Sequence, residues 1–258
     1  MASIKKWSRE EMILALNLYL KIPFGKMHSR NSAIIDLAKL IGRSSNSVAL
    51  RLVNYAACDP ILHSRGIKGM SGGRQRCLPY WNEFINDRDK LIFESEQILA
   101  KYENVSIESK YKDILFDIPT ELKGETRLQE VKTRINQSVF RELVLANYNR
   151  KCAITGIDIP ELLVASHIIP WVENHKERLN PENGICLSML WDKAFDRGLI
   201  SIMPDYTIVF SEHIRNCSDK EFYKSNFANI EGTKIHLPNK YLPNQEFLEW
   251  HYNNIFLH

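Results

Sequence analysis

The stretch from Leu162 to Gly198 limits the possible folds most, because its pattern of apolar residues changes within a few dozen positions. "LLVASHII" reads as a strand stopped by Pro170, and "GICLS" reads as a second one, with the polar loop "WVENHKERLNPEN" between them. A short helix follows and stops at Gly198, a residue free to adopt the left-handed backbone of a helix end. "LISIM" and "TIVFS" around the turn "PDY" then predict a hairpin. This order of strand, loop, strand and helix brings three polar residues within reach of one another: His167 at a strand end, Asn183 at the next strand's start, and Asp192 on the helix.

Asp192 and Asp196 are one helical turn apart, so their carboxylates project side by side and repel unless something positive lies between them. A divalent cation meets that demand. So does a solvated face with Lys193 and Arg197 interleaved as neutralising partners. The spacing leaves both readings open.

The N-terminal part is helical in pattern. "WSREEMILALNLYL" opens with a capping box, Ser8 with Glu11, and carries Met12, Leu16 and Tyr19 at helical spacing up to Pro23. "SAIIDLAKLIG" and "SSNSVALRLVNYA" predict two more helices joined by a tight turn, the outline of a helix-turn-helix. Ser45 and Asn46 at the start of the third helix and Arg51 on a later turn suit contact with phosphates and base edges, although serine and asparagine there are also ordinary caps. "HSRGIKGMSGGRQR", with Arg65, Lys68, Arg74 and Arg76, reads as a flexible basic wing or arm along a phosphate backbone, or as a plain solvated loop. A closing helix is expected from Pro79 to about Tyr102, and a long helix from about Arg127 to Tyr148. The expected organisation is a winged-helix-like domain over 1–103, a linker over 104–126, and a second domain over 127–258, giving a mixed α+β protein. Trp7, Tyr19, Tyr55, Tyr80 and Trp81 are either core or the walls of a pocket for a modified base.

Charge separates the two parts. Residues 1–76 carry 13 Lys and Arg against 4 Asp and Glu, a balance of +9 in a chain whose net charge is +3. The N-terminal part is thus the expected seat of a polyanion. With 44% hydrophobic and 25% charged residues the chain can bury a core. No apolar run is long enough for a membrane span and no secretory leader is evident, so a cytoplasmic protein without membrane contact is expected. Five scattered cysteines without a CxxC pair form neither a disulfide framework nor a zinc knuckle, and structural zinc is not expected.

At His167, Asn183 and Asp192 the sequence resembles the HNH, or ββα-metal, endonucleases. The resemblance runs over about 127–212 and is carried by "CAITG", "ASHIIPW", "RLNPENGICLS" and "DKAFDRGLISI", in the family's order. The N-terminal hundred residues resemble, more weakly, the DNA-reading domains attached to bacterial HNH restriction enzymes. The resemblance implies metal-dependent hydrolysis of a nucleic-acid phosphodiester. In that scheme His167 is the general base, Asn183 keeps it aimed, Asp192 is a metal ligand in place of the family's His, and Asp196 is a second metal position. Two carboxylates suit one hard cation, Mg²⁺ or Mn²⁺. Ser166 stands where many relatives have an acid or His that also binds metal, and the zinc-binding CxxC pairs of many relatives are absent, so Cys152, Trp171 and Phe195 are expected in the core. Arg178 and Arg197 are candidates for gripping phosphate or, equally, for salt bridges. His175 and His213 are expected at the surface.

The whole points to a restriction-type endonuclease acting on double-stranded DNA, sequence-specific or modification-dependent. A double-strand break from single sites implies a homodimer. The alternatives are a DNA-binding regulator with a decayed nuclease, and a nuclease for RNA or for nicking.

Overall fold

In the computed structural model, which describes all residues except 1–5, 23, 65, 120 and 239, the chain divides between Ser138 and Val139 into two units. Two sequence expectations, the helix stop at Pro23 and the basic contact at Arg65, fall outside the described residues.

The first unit is built on α1 (Arg9–Lys21), which starts at the expected capping box: Ser8 Oγ accepts from Glu11 N at 3.2 Å, and Glu11 Oε2 accepts from Ser8 N at 2.8 Å. Glu11 also holds the Arg43 guanidinium at 2.7 Å, with both side chains buried. This pair ties the head of α1 to the turn between α2 (Ser32–Leu40) and α3 (Ser45–Ala56). Gly42, at φ +65°, ends α2, and Ser44 caps α3 by accepting from Ser47 N. Met12, Leu16 and Tyr19 are buried as their spacing requires. Tyr19 and Tyr55 are fully buried, and Trp81 meets the Tyr19 ring edge-on at 5.9 Å, so these three are core rather than an open pocket.

The basic glycine-rich segment is not a wing. Among the described residues this unit has no strand. Beyond α4 (Pro60–Ser64), the segment lies hard against α3: a Cβ on Gly69 would fall 2.4 Å from Ala57 N, and one on Gly73 would fall 2.2 Å from Asn54 Nδ2. Met70 N donates to Val53 O at 3.2 Å. Gly69 and Gly73 therefore serve close approach to α3. From Arg74 the chain is already helical, in α5 (Arg74–Phe84). The single closing helix expected after Pro79 is also two helices, because the Asp87 side chain accepts from Lys90 N and starts α6 (Arg88–Tyr102). The segment read as a linker holds α7 (Ile107–Lys110) and α8 (Lys112–Leu115). The long helix is α9 (Gly124–Asn147), and the division between units falls inside it, not at 104–126.

The second unit has the expected order. Strands β1 (Leu163–His167) and β2 (Gly184–Ser188) pair antiparallel with Leu163 opposite Ser188 and His167 opposite Gly184, and α10 (Met189–Asp196) follows directly. The predicted hairpin is β3 (Ile200–Ile202) with β4 (Ile208–Phe210). Helices α11 (Glu212–Arg215), α12 (Glu221–Asn226) and α13 (Gln245–Asn254) complete the unit. Residues 139–147 of α9 belong here and fix the first hairpin. Arg141 donates to the carbonyls of Pro160 and Leu163 at 3.2 and 2.8 Å, and a Cβ on Gly184 would fall 2.5 Å from Val144 Cγ2. Cys152 is buried, and its Sγ accepts from Ser188 N at 3.2 Å; all five cysteines are free thiols.

Candidate active site

The end of β1 places His167, and its ring is held on several sides. Nε2 lies 2.9 Å from the carbonyl oxygen of Arg178. Phe140 of α9 stacks on one face at 4.3 Å and 12°, and Trp171 meets the ring edge-on at 5.6 Å. A carbonyl only accepts, so Nε2 carries the hydrogen, and a neutral ring keeps its lone pair on Nδ1. Burial pushes the His167 pKa below the ordinary imidazole value, against the opposing pull of the Arg178 carbonyl and the Asp192 charge. The ring is neutral at pH 7, with Nδ1 as its basic atom.

Asn183 is fully buried and makes a reciprocal pair with the backbone just past His167. Its Oδ1 accepts from Ile169 N at 2.8 Å, its Nδ2 donates to Ile169 O at 3.1 Å, and its own carbonyl accepts from Ile168 N. These three bonds tie the start of β2 to the exit of β1, so the backbone that carries His167 cannot drift from its partner strand.

Asp192 lies in the first turn of α10, whose buried side is Trp191, Ala194 and Phe195. Burial raises its pKa and Asp196 raises it further, while Ser166, Lys193 and His167 hold it down. Asp196 is exposed; partial desolvation still raises its pKa, opposed by Lys193 and Arg197. Among the described residues neither carboxylate forms an ion pair, so the cations interleaved in the sequence act only at a distance. Ser166 Oγ, on a side chain 2% exposed, makes no hydrogen bond of normal geometry, although it lies close enough to Asp192 to lower its pKa. A buried hydroxyl beside the Asp192 carboxylate, with Asp196 one turn on, is an oxygen-only donor set, which suits a hard cation. Among the described residues no group of three or more His, Cys, Asp or Glu side chains is placed to hold a metal, so water would complete the shell.

The far end of α10 is latched by a residue the sequence reading passed over. His251 of α13, 2% exposed, stacks on Phe195 at 3.7 Å and 5°, with Nε2 3.1 Å from Phe195 O and Nδ1 2.9 Å from Ser201 Oγ. Burial pushes its pKa down to about 4. Gly198, at φ +66°, lets the C-terminal strand of chain close over the helix end: a Cβ there would fall 2.0 Å from Ile255 O, and Leu257 N donates to Gly198 O at 2.9 Å.

Of the other residues singled out from sequence, Arg178 lies with its guanidinium 4.7 Å from the Trp171 ring centre and Nη1 3.1 Å from His175 Nδ1, and Arg197 is exposed at the C-cap of α10. His175 and His213 are exposed, as expected. In the first unit Asn46, Lys68, Arg74 and Arg76 are exposed and Ser45 is half-buried. Arg51 is not available to a ligand at the surface. It is 6% exposed, its guanidinium lies 4.7 Å from the Trp7 ring centre, and Nη1 is 3.8 Å from Cys77 Sγ. Trp7 draws it inward, with Arg43 over the same ring at 4.4 Å.

Residues 152–203 match the family model described as HNH endonuclease. No curated protein matches the chain.

Proposed function

We propose, from the HNH endonuclease family to which residues 152–203 belong, that this protein is a divalent-metal-dependent DNA endonuclease of the restriction type, sequence-specific or modification-dependent. The observation that carries this reading is His167 held with Nε2 on the Arg178 carbonyl, which frees Nδ1 as a base, close to the unpaired carboxylate of Asp192. Nδ1 takes a proton from water as the water oxygen bonds to phosphorus; the bond to the leaving 3′ oxygen breaks, and that oxygen is protonated by solvent. Asn183 keeps the strand ends in register during this transfer. Asp192 and Asp196 would hold one cation, Mg²⁺ or Mn²⁺, with Ser166 Oγ as a neutral neighbour. When bound, the cation polarises the scissile phosphate and stabilises the charge of the leaving oxygen. Arg178 and Arg197 would grip flanking phosphates. The basic first unit, a helix-turn-helix arrangement without a β wing, binds double-stranded DNA and supplies the specificity. Asp192→Asn tests the assignment: titration of Mn²⁺ by its spin resonance should show affinity reduced by at least about tenfold and cleavage lost with it. Unchanged Mn²⁺ affinity would remove Asp192 from the metal site.

A further inference from the structure

The first unit leaves one face of α3 uncovered. Asn46 is exposed, Leu50 is 47% exposed, and Val53 is half-buried. At 3.6 residues per turn these three fall within about 60° of one another on the helix. The opposite side is committed to the core, through Val48, Leu52 and Tyr55, and Arg51 is withdrawn onto Trp7. The uncovered face therefore presents one amide and a short apolar stripe, with no charge of its own. Charge comes from its edge. Met70 N bonds to Val53 O, which anchors the loop carrying Lys68 beside the end of the stripe, and exposed Arg74 and Arg76 follow it at the start of α5. Cations at the rim with an amide and aliphatic groups in the middle form the complement of a DNA major groove, where phosphates border the base edges.

We propose that this face reads an adenine with a neighbouring thymine: Asn46 pairs with adenine N6 and N7, and Leu50 covers the thymine 5-methyl group. An asparagine amide matches the donor and acceptor that adenine alone presents side by side in the major groove, and an aliphatic side chain gains only where a methyl group meets it. Lys68, Arg74 and Arg76 contribute affinity without sequence preference. This inference rests on the reading of the protein as a DNA endonuclease, and it adds which bases the first unit selects.

The test uses full-length protein carrying His167→Ala, so that bound DNA is not cut. Duplexes selected from a random pool should share an adenine beside a thymine. Replacing that thymine by uracil, which removes only the methyl group, should weaken binding about fourfold. Leu50→Ala should erase the difference between thymine and uracil, and Asn46→Ala should lower the preference for adenine by about tenfold; both residues are exposed, so folding is not at stake. Salt-sensitive binding without preference at these base pairs, or a requirement for 5-methylcytosine in place of thymine, would overturn the inference and leave the DNA-endonuclease reading standing. Failure to bind any duplex would remove that reading as well.

Discussion

At the scale of single residues, the behaviour of the site turns on which nitrogen of His167 is free. Because the Arg178 carbonyl fixes the hydrogen on Nε2, protonation of Nδ1 charges the ring and would abolish the proposed base. Burial lowers the pKa, so the base stays unprotonated to a lower pH than free imidazole would. Cleavage under single-turnover conditions should therefore rise with pH along a limb whose midpoint lies below about 6.5. Phe140→Ala, which strips the stacked ring from His167 and admits water, should move that midpoint upward and slow the reaction. A wild-type midpoint above the ordinary imidazole value, or one that Phe140→Ala leaves in place, would show that His167 is not the titrating base. Asp192 shows the opposite displacement. Burial raises its pKa and the neighbouring Asp196 charge adds to the rise.

At the scale of elements, α10 is the part whose placement matters most, and it is fixed from both ends. Its first turn follows β2 without a break, and its last turn is held by His251 and by the chain at 255–257. His251 must be neutral to stay buried between Phe195 and Ser201. Its pKa is about 4 when folded and about 6.5 when unfolded, so the unfolded chain binds the extra proton in that interval. Its contribution is complete above the unfolded value and is lost as pH falls toward the folded one. The loss is on the order of 3 kcal/mol across pH 6.5 to 4. Thermal unfolding followed across that range should show the wild type losing stability more steeply than His251→Gln; parallel curves would contradict the latch. The sequence made β1, β2 and α10 legible because their apolar periods and their stops at Pro170 and Gly198 are local signals. It did not reveal Phe140, Ser201 or His251, which act on the site across distances that only tertiary packing bridges. The same limit misled the reading of Arg51, expected from its place on a later turn of the helix to contact DNA, whereas it lies against the Trp7 ring. It also turned glycines that serve close packing on α3 into a supposed flexible wing.

At the scale of the whole molecule, the sequence divides charge unevenly and the structure divides the chain into two units, with the HNH match confined to the second. Among the described residues no helix is long and apolar enough to cross a membrane. If the proposed site cuts one strand at a time, a double-strand break calls for two copies, and a homodimer is the proposed arrangement. Light scattering in the presence of cognate duplex should give the mass of two chains per site, and a single chain per duplex that still cuts both strands would contradict the homodimer. The most direct test of the central claim is cleavage of one plasmid, prepared from methylating and from non-methylating hosts, by wild type and by His167→Ala. Each reaction is run with Mg²⁺, with Mn²⁺ and with chelator. Discrete fragments should appear that require the metal and fall by at least about a hundredfold in the variant, with the dependence on host showing whether modification is read. Fragments that persist in chelator or in His167→Ala, or tight DNA binding with no cleavage under any of these conditions, would contradict the claim.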